Sequence, residues 1–281
     1  MPEAATLLPT TRDEQWRYAE PAALAALDVA ALDDWHVAEL APGEVRRKDL
    51  IFGNDLPGLH RVRLNVGAGA RAELFAVLSA DAYTRLEVEV TLAEGAHFEL
   101  GGVTIGGGEH VREIVTRTRH AAPNATSNQV VRAVHWGRAA GNYLGRIEVA
   151  RDAQKTNAAQ NFRAILLEKG ASANTKPELE IFADDVKCAH GAAIGELDRN
   201  VAFYMASRGL PPEIARKLQV HAFIADAFAE VEDADLRERL TDHALAALEQ
   251  AASLHSTKAS PMKACTSSLR AAAGGRPRAA M

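Results

Sequence analysis

Residues 85–92, RLEVEVTL, alternate strictly between apolar and polar side chains. A period of two residues is the spacing of a β-strand that buries one face. The apolar face carries Leu86, Val88, Val90 and Leu92, and the opposite face carries Arg85, Glu87, Glu89 and Thr91. Less regular runs of the same kind recur between residues 59 and 195, at 60–66, 72–78, 112–119 and 145–150. The middle of the chain is therefore predicted to consist of many short strands.

Glycine-containing turn signals separate these strands at a nearly constant spacing. GARAEL begins at Gly69 and GAHFEL begins at Gly95. GASANTKPEL begins at Gly170, three such intervals beyond Gly95. A repeat of about 25 residues has the length of one coil of a solenoid. Because no helical segment separates the strands, the pattern favours a β-solenoid or a β-sandwich over a parallel sheet with intervening helices.

Both ends of the chain change to helical patterns. Residues 11–20 and 21–35 indicate helices inside an N-terminal helical or irregular region, 1–58, and the β core is placed at 59–195. In the C-terminal helical region, 196–254, the first helix is predicted to begin after the N-cap Asp198 and to end at Gly209. Two longer amphipathic segments, 211–231 and 234–254, follow it. The aperiodic tail 255–281, which holds Cys265, is predicted to be disordered.

Composition excludes several classes of function. A formal net charge of −5 gives no cationic field for nucleic acid or an anionic membrane. Two cysteines cannot build a disulfide framework, and no stretch reaches the roughly 18 apolar residues of a membrane span. The N-terminal residues do not have the basic start and apolar core of a signal peptide. We therefore expect a cytoplasmic protein without nucleic-acid or membrane partners, with Cys188 as a free thiol.

The segment DDVKCAH, 184–190, holds the most distinctive chemistry of the chain. In a strand, Cys188 and His190 project from the same face and can reach one metal ion, whereas Asp184 and Asp185 point to opposite faces. Two ligands do not close a metal site. Another histidine would have to approach in space, and the candidates are His97, His110, His120 and His135. Free cysteine is often buried as a small apolar residue. A Cys–His pair that only packs in the core therefore remains an alternative to a metal site.

No complete active site is recognisable in the sequence. GGVTIGGGEH, 101–110, has no Lys-Ser/Thr after its glycines, so a phosphate-binding loop is excluded, and no G-x-S-x-G nucleophile motif occurs. The alternative of a metal-dependent β-helix enzyme acting on a carbohydrate or acyl substrate would need a further set of ligands or carboxylates. The C-terminal helices have two interpretations of equal weight. They cap the exposed edge of the β region, or they dock a partner through Phe223, Ile224 and Phe228.

Residues 176–211, KPELEIFADDVKCAHGAAIGELDRNVAFYMASRGLP, resemble the SufB/SufD family of iron–sulfur cluster assembly proteins. That family reads P-x-L-x-I-x-A-D-D-V-x-C-x-H-G-A, followed by an aliphatic residue, a glycine, an aspartate and F-Y-x-x-S-R-G. EQWRY, 14–18, is similar to the N-terminal E-x-W-K/R-Y of the family. The chain is more similar to SufD than to SufB, because SufB-like chains read His-Glu-Ala where this one reads His-Gly-Ala at 190–192.

The resemblance implies a right-handed parallel β-helix between helical ends. It implies a non-catalytic scaffold that pairs with a SufB-like paralogue and binds a SufC-like ABC-type ATPase through its C-terminal helices. His190, and after it Cys188, would lie at the junction and contribute to a transient iron–sulfur cluster shared with the partner, with no cofactor held tightly by this chain. The resemblance does not decide whether the isolated chain forms a homodimer. The residues expected to bind partners are Tyr204, Arg208, Phe223 and Phe228.

Overall fold

The structure, a computed structural model, describes residues 8–53 and 57–258. Its centre consists of twelve strands, and each coil of the chain contributes two of them. The strands are β1 His36–Leu40, β2 Val45–Phe52, β3 Gly58–Val66, β4 Arg71–Leu78, β5 Thr84–Leu92, β6 His97–Gly106, β7 Val111–His120, β8 Thr126–His135, β9 Ala140–Val149, β10 Asn157–Leu166, β11 Ser172–Ile181 and β12 Lys187–Gly195.

The strands form two six-stranded sheets in which all neighbours are parallel. Sheet A has the order β1-β3-β5-β7-β9-β11, and sheet B has the order β12-β10-β8-β6-β4-β2. The chain therefore alternates between the sheets and winds into a β-solenoid. The prediction of a mainly β solenoid is confirmed, and the sandwich alternative is excluded because the strands are parallel.

The later coils of the solenoid are longer than the first ones. Paired residues in the first coils are 26 apart, as in Arg63 opposite Glu89, and those in the last coil of sheet A are 32 apart, as in Asn142 opposite Asn174. Gly69 and Gly95 occupy successive copies of one turn, with φ values of 63° at both. The assignment of Gly170 to this series is wrong. Gly170 packs over Gly137, in a different turn of the coil. The 25-residue interval does not lead to it, because the later coils are longer than the first ones.

The alternation in RLEVEVTL correctly predicts which side chains face the interior. Leu86, Val88 and Val90 all belong to the main apolar core between the sheets. The opposite face is less exposed than its charges indicate, since Arg85 is fully buried. Its guanidinium lies 3.8 Å from the centre of the Trp16 ring and donates to the backbone oxygen of Gln15 at 2.9 Å. The EQWRY segment therefore crosses sheet A and covers the charged face of β5.

The N-terminal region is less helical than predicted. Its described residues contain two 3-10 turns, Glu14–Trp16 and Val29–Leu32, and the short helix α1, Pro21–Ala25. The solenoid begins at His36, so β1 and β2 lie inside the region predicted to be helical or irregular. The signal was weak because β2 is an edge strand, in which consecutive charged residues at 46–48 conceal the period of two.

The C-terminal region contains α2 Arg199–Ser207, α3 Pro212–Ala225, a 3-10 turn Asp226–Phe228 and α4 Ala234–Lys258. Asp198 caps α2 as predicted, accepting from the backbone N–H of Asn200 at 2.7 Å. The elements α3, the 3-10 turn and α4 pack on the outer face of sheet B and form a second core with Phe75 and Val103, whereas α2 has no buried residue. They leave most of β12, the last strand of that sheet, exposed. The predicted disorder of the tail beyond Lys258, including Cys265, lies outside the described residues.

Candidate functional site

The last coil leaves one end of the solenoid open. Within the described residues, β11 pairs only with β9 and β12 pairs only with β10, so each strand has a free edge. Most residues of β12 are exposed, and those of β11 are partly exposed, whereas the equivalent strands two coils earlier are buried. Unpaired parallel edges with exposed interior positions are competent to bind another chain by extending the sheets.

Cys188 and His190 lie on β12 at this open end. They pair in register with Ala158 and Gln160 of β10, whose side chains are buried inside the solenoid. Parallel partners point to the same face of a sheet, so both residues project from the interior face of the last coil. The prediction that they share a face is consistent with this register. His190 is exposed, whereas Cys188 is half-buried.

Cys188 packs against a small apolar cluster that contains Val149, Ala158 and Ala183. Burial raises the pKa of its thiol, so the protonated form is favoured near neutral pH. A metal ion must therefore displace a proton from Cys188 in order to bind the thiolate. The apolar packing supports a structural role for Cys188 and leaves His190 as the more accessible ligand.

No additional ligand joins this pair from the described part of the chain, where no cluster of three or more His, Cys, Asp or Glu residues is suited to a metal ion. His135 is fully buried and hydrogen-bonds to Thr104, and His120 is buried beside Ser127 at 3.0 Å. His97 contacts Thr126 and His110 contacts Glu20. The histidines proposed as third ligands therefore have other partners, and the described part of the chain brings only Cys188 and His190 to this position.

The sequence indicated that Asp184 and Asp185 lie in a strand. In the structure they form a bend before β12. The backbone N–H of Asp185 donates to Gln154 Oε1 at 2.9 Å, and its carbonyl oxygen accepts from the N–H of Lys155. These bonds hold the bend against the preceding coil. The aspartates thus belong to the turn that delivers Cys188 and His190 to the open end.

The helices that follow β12 expose an apolar surface. The exposed fractions are 77% for Phe203 and 58% for Tyr204, and the Arg208 guanidinium lies 5.0 Å from the centre of the Tyr204 ring. Val201, Ile214 and Leu218 are also exposed. We call Val201, Phe203, Tyr204, Ile214 and Leu218 the helical apolar surface. It contains Tyr204 and neighbours Arg208, both expected to bind a partner.

Two other residues assigned to partner binding lie elsewhere. Phe228 is fully buried against Phe75, and Phe223 is half-buried beside Arg132 of β8. Ile224 is also fully buried. The assignment of Phe228 and Ile224 to a docking surface is wrong, because the apolar face of this helical segment packs on sheet B. Sequence periodicity identified that face but not the surface it covers.

Comparison with known proteins identifies the family of this chain. The model of a family described as "SUF system FeS cluster assembly, SufBD core domain" matches residues 25–223, which span the whole solenoid and most of α3. The chain belongs to the SufBD family. The match includes β12 with Cys188 and His190, so the open end is part of the SufBD core.

Three relatives illustrate the extent of the similarity. An iron–sulfur cluster assembly SufBD family protein of Synechocystis is 34% identical over 175 residues, 62% of this chain and 39% of the relative. The iron–sulfur cluster assembly protein SufD of Escherichia coli is 40% identical over 104 residues, 37% of this chain and 24% of the relative. The chloroplastic protein ABCI7 of Arabidopsis thaliana is 40% identical over 99 residues, 35% of this chain and 21% of the relative. The matched segments therefore span less than half of these relatives. Separately, no helix in residues 8–53 and 57–258 has the length and apolarity of a membrane span.

One group beside the site escaped sequence reasoning. Gln160 stands in register below His190 and is held by Tyr143, which lies in sheet A. The interval along the chain from Gln160 to His190 was the available signal. That interval identifies the two residues as neighbours only if the length of the last coil is known, and the sequence does not give that length.

Proposed function

We propose that this SufBD chain is a SufD-like, non-catalytic scaffold subunit of a complex that assembles iron–sulfur clusters. The observation that carries the proposal is the position of His190 and Cys188 on the unpaired last strand of an open solenoid. Imidazole and thiolate both bind iron, and their location at a free edge lets a second chain complete the ligand set. The nascent cluster is the cargo of this site and is shared with the partner.

The partner at the open end is a SufB-like paralogue. A chain with its own open solenoid can extend both sheets across the junction, so that backbone hydrogen bonds supply affinity and interior side chains meet face to face. A homodimer of the isolated chain would use the same edges. The absence of a third ligand from the described residues supports a site formed by two chains.

The second partner is a SufC-like ABC-type ATPase, bound at the helical apolar surface. Exposed Phe203 and Tyr204 are residue types that supply large contact areas in protein interfaces. Only residues 196–198 separate β12 from α2. Movement of α2 during ATP hydrolysis is therefore transmitted directly to the strand that carries His190. We infer that this movement opens the junction to iron and sulfide.

The test is co-expression of the tagged chain with a SufB-like paralogue and a SufC-like ATPase, followed by measurement of cluster content and of maturation of an iron–sulfur reporter enzyme. His190→Ala should abolish most maturation while all three chains still co-purify. His221→Ala, which removes an exposed histidine from α3, is the matched control and should retain activity.

Full maturation by the His190→Ala complex would contradict the site assignment. Phe203→Asp should release the ATPase but leave the paralogue bound, because the two surfaces are on different elements. If the tagged chain purified alone as an active hydrolase on a carbohydrate or acyl substrate, the scaffold proposal would be rejected in favour of the enzyme alternative.

A further inference from the structure

The interior of the solenoid changes from apolar to polar toward the open end. One column of core positions in sheet B runs through Leu74, Leu100, Gln129, Gln160 and His190, each in register with the next. The first two positions of the column show that the fold accepts leucine there. Burying an amide instead is unfavourable unless hydrogen bonds compensate for the lost hydration. The two glutamines therefore require an explanation beyond filling the core.

The Gln160 amide is held in a fixed position. Its side chain is 2% exposed, its Nε2 donates to the backbone oxygen of Glu178 at 3.3 Å, and its Oε1 accepts from the Tyr143 hydroxyl at 3.2 Å. The same hydroxyl lies 3.2 Å from Gln129 Oε1 and 3.1 Å from Thr116 Oγ1. Gly145 provides the space, because a Cβ there would lie 2.0 Å from Gln160 Oε1.

Gln160 Oε1 retains capacity to accept another hydrogen bond. An amide oxygen has two lone pairs, and the single Tyr143 hydroxyl proton is shared between two candidate amide oxygens. His190 is the next residue of the column toward the open end, about 4.8 Å away at the backbone, as in any pair of neighbouring strands. Its exposed imidazole makes no hydrogen bond within the described residues, so the ring can turn toward this oxygen.

We propose that Gln160 is a positioning residue for His190, accepting a hydrogen bond from one ring N–H and thereby leaving the other ring nitrogen free for iron. Histidines that bind metals commonly donate their second N–H to a carbonyl or carboxylate, which fixes the tautomer and the ring orientation. This inference rests on the proposed function for its consequence, but the register that places Gln160 beside His190 belongs to the isolated chain. Tyr143 and Gly145 hold the amide in place from sheet A.

The primary experiment measures the His190 tautomer by NMR in the full chain with ¹⁵N-labelled histidine, and the His190 signals are identified by their loss in His190→Ala. The wild type should show one dominant tautomer. Gln160→Leu should move His190 to the mixture of tautomers that a free imidazole shows, and Gln160→Glu should restore the single tautomer because its carboxylate also accepts. Thr104→Val, which removes a buried hydroxyl of sheet B that bonds to His135 and not to Tyr143, is the control and should leave His190 unchanged.

A second variant guards against misfolding of Gln160→Leu. Gly145→Ala displaces both the Gln160 oxygen and the Tyr143 hydroxyl that bonds to it, and should shift the His190 tautomer in the same direction. In the three-chain complex, Gln160→Leu should weaken binding of Fe²⁺ about tenfold. An unchanged tautomer in both folded variants, or an equal change in Thr104→Val, would overturn the inference. Failure of the proposed function would instead appear as full maturation in His190→Ala, so the two failures are distinguishable.

Discussion

Arg132 of β8 and Asp226 at the end of α3 form an ion pair that joins sheet B to the C-terminal helices. Arg132 Nε lies 2.9 Å from Asp226 Oδ2, and the side-chain exposure is 4% for Arg132 and 52% for Asp226. Arg132 also donates to the backbone oxygens of Val131 and Asn161. The pair therefore fixes the helices against the strand two positions from β12 in the same sheet.

Loss of the Asp226 carboxylate should destabilise the attachment of the helices. We expect Asp226→Asn to lower the free energy of unfolding by about 1–3 kcal/mol, below the value for a fully buried pair because Asp226 is half-exposed. Urea denaturation measures the change. Asp242→Asn, at an exposed position of α4, is the control and should stay within about 0.5 kcal/mol of the wild type. Equal stability of both variants would show that the ion pair contributes nothing.

Trp16 should be required for the attachment of the N-terminal segment. It is 7% exposed and lies on the buried guanidinium of Arg85. We expect Trp16→Ala to cost about 3–5 kcal/mol, since it removes a large buried ring and uncovers a buried cation. The readouts are urea denaturation and the rate of tryptic cleavage after Arg12, a site that both variants retain. Arg17→Ala, exposed in the same segment, should leave stability unchanged, and a similar loss in both variants would refute the specific role of the ring.

The repeated turn at Gly69 and Gly95 should tolerate asparagine better than alanine. Gly95 has φ of 63°, and Asn124 occupies the same turn one coil later with φ of 61°. A Cβ at Gly95 meets no atom closer than 4.0 Å, so the effect is conformational and not steric. We expect Gly95→Ala to lower the free energy of unfolding by about 1–2 kcal/mol and Gly95→Asn by less. An Asn variant less stable than the Ala variant would contradict this explanation.

Two buried histidines should make the fold sensitive to acid. Burial lowers the pKa of His135, which also lies near the Arg112 cation, to about 3, and burial lowers the pKa of His120 to about 4. Both stay neutral in the folded chain, whereas the unfolded chain protonates them below about pH 6.5. Their contribution is complete above about pH 6.5 and is lost as the pH falls toward the folded-state values, by about 1.4 kcal/mol per pH unit for each histidine.

The measurement is the free energy of unfolding in urea at pH 7, 6 and 5. His135→Gln should be less stable at pH 7, but its stability should fall less steeply with decreasing pH than that of the wild type. His221→Gln, at an exposed position, should retain the wild-type slope. If His135→Gln and the wild type have parallel profiles, the buried neutral histidine is not a source of acid sensitivity.

The sequence predicted the fold where local patterns and tertiary packing agree. RLEVEVTL places Leu86 and Val88 in the core because a strand period is a local property. The polar edge strand β2 was missed because its consecutive charged residues conceal the strand period. Phe228 was misplaced because the periodicity of a helix does not reveal which surface covers its apolar face.

The candidate site shows the same division. The shared face of Cys188 and His190 follows from strand geometry and could be predicted. The position of Gln160 below His190 could not, because it depends on coil lengths that differ from one coil to the next. The register between two coils depends on the total length of the strands and turns that separate them. No local sequence pattern reveals that total.

The uniform first coils and the longer last coils give the molecule two unlike ends. Gly43, Gly69 and Gly95 repeat one backbone turn at a constant interval. If the coil between two of these glycines were deleted, the remaining turns would still match in backbone conformation. The last coils have no interchangeable unit, because each has its own length and its own interior side chains. The solenoid can thus be shortened or lengthened at its beginning during evolution while the end that carries His190 keeps its shape.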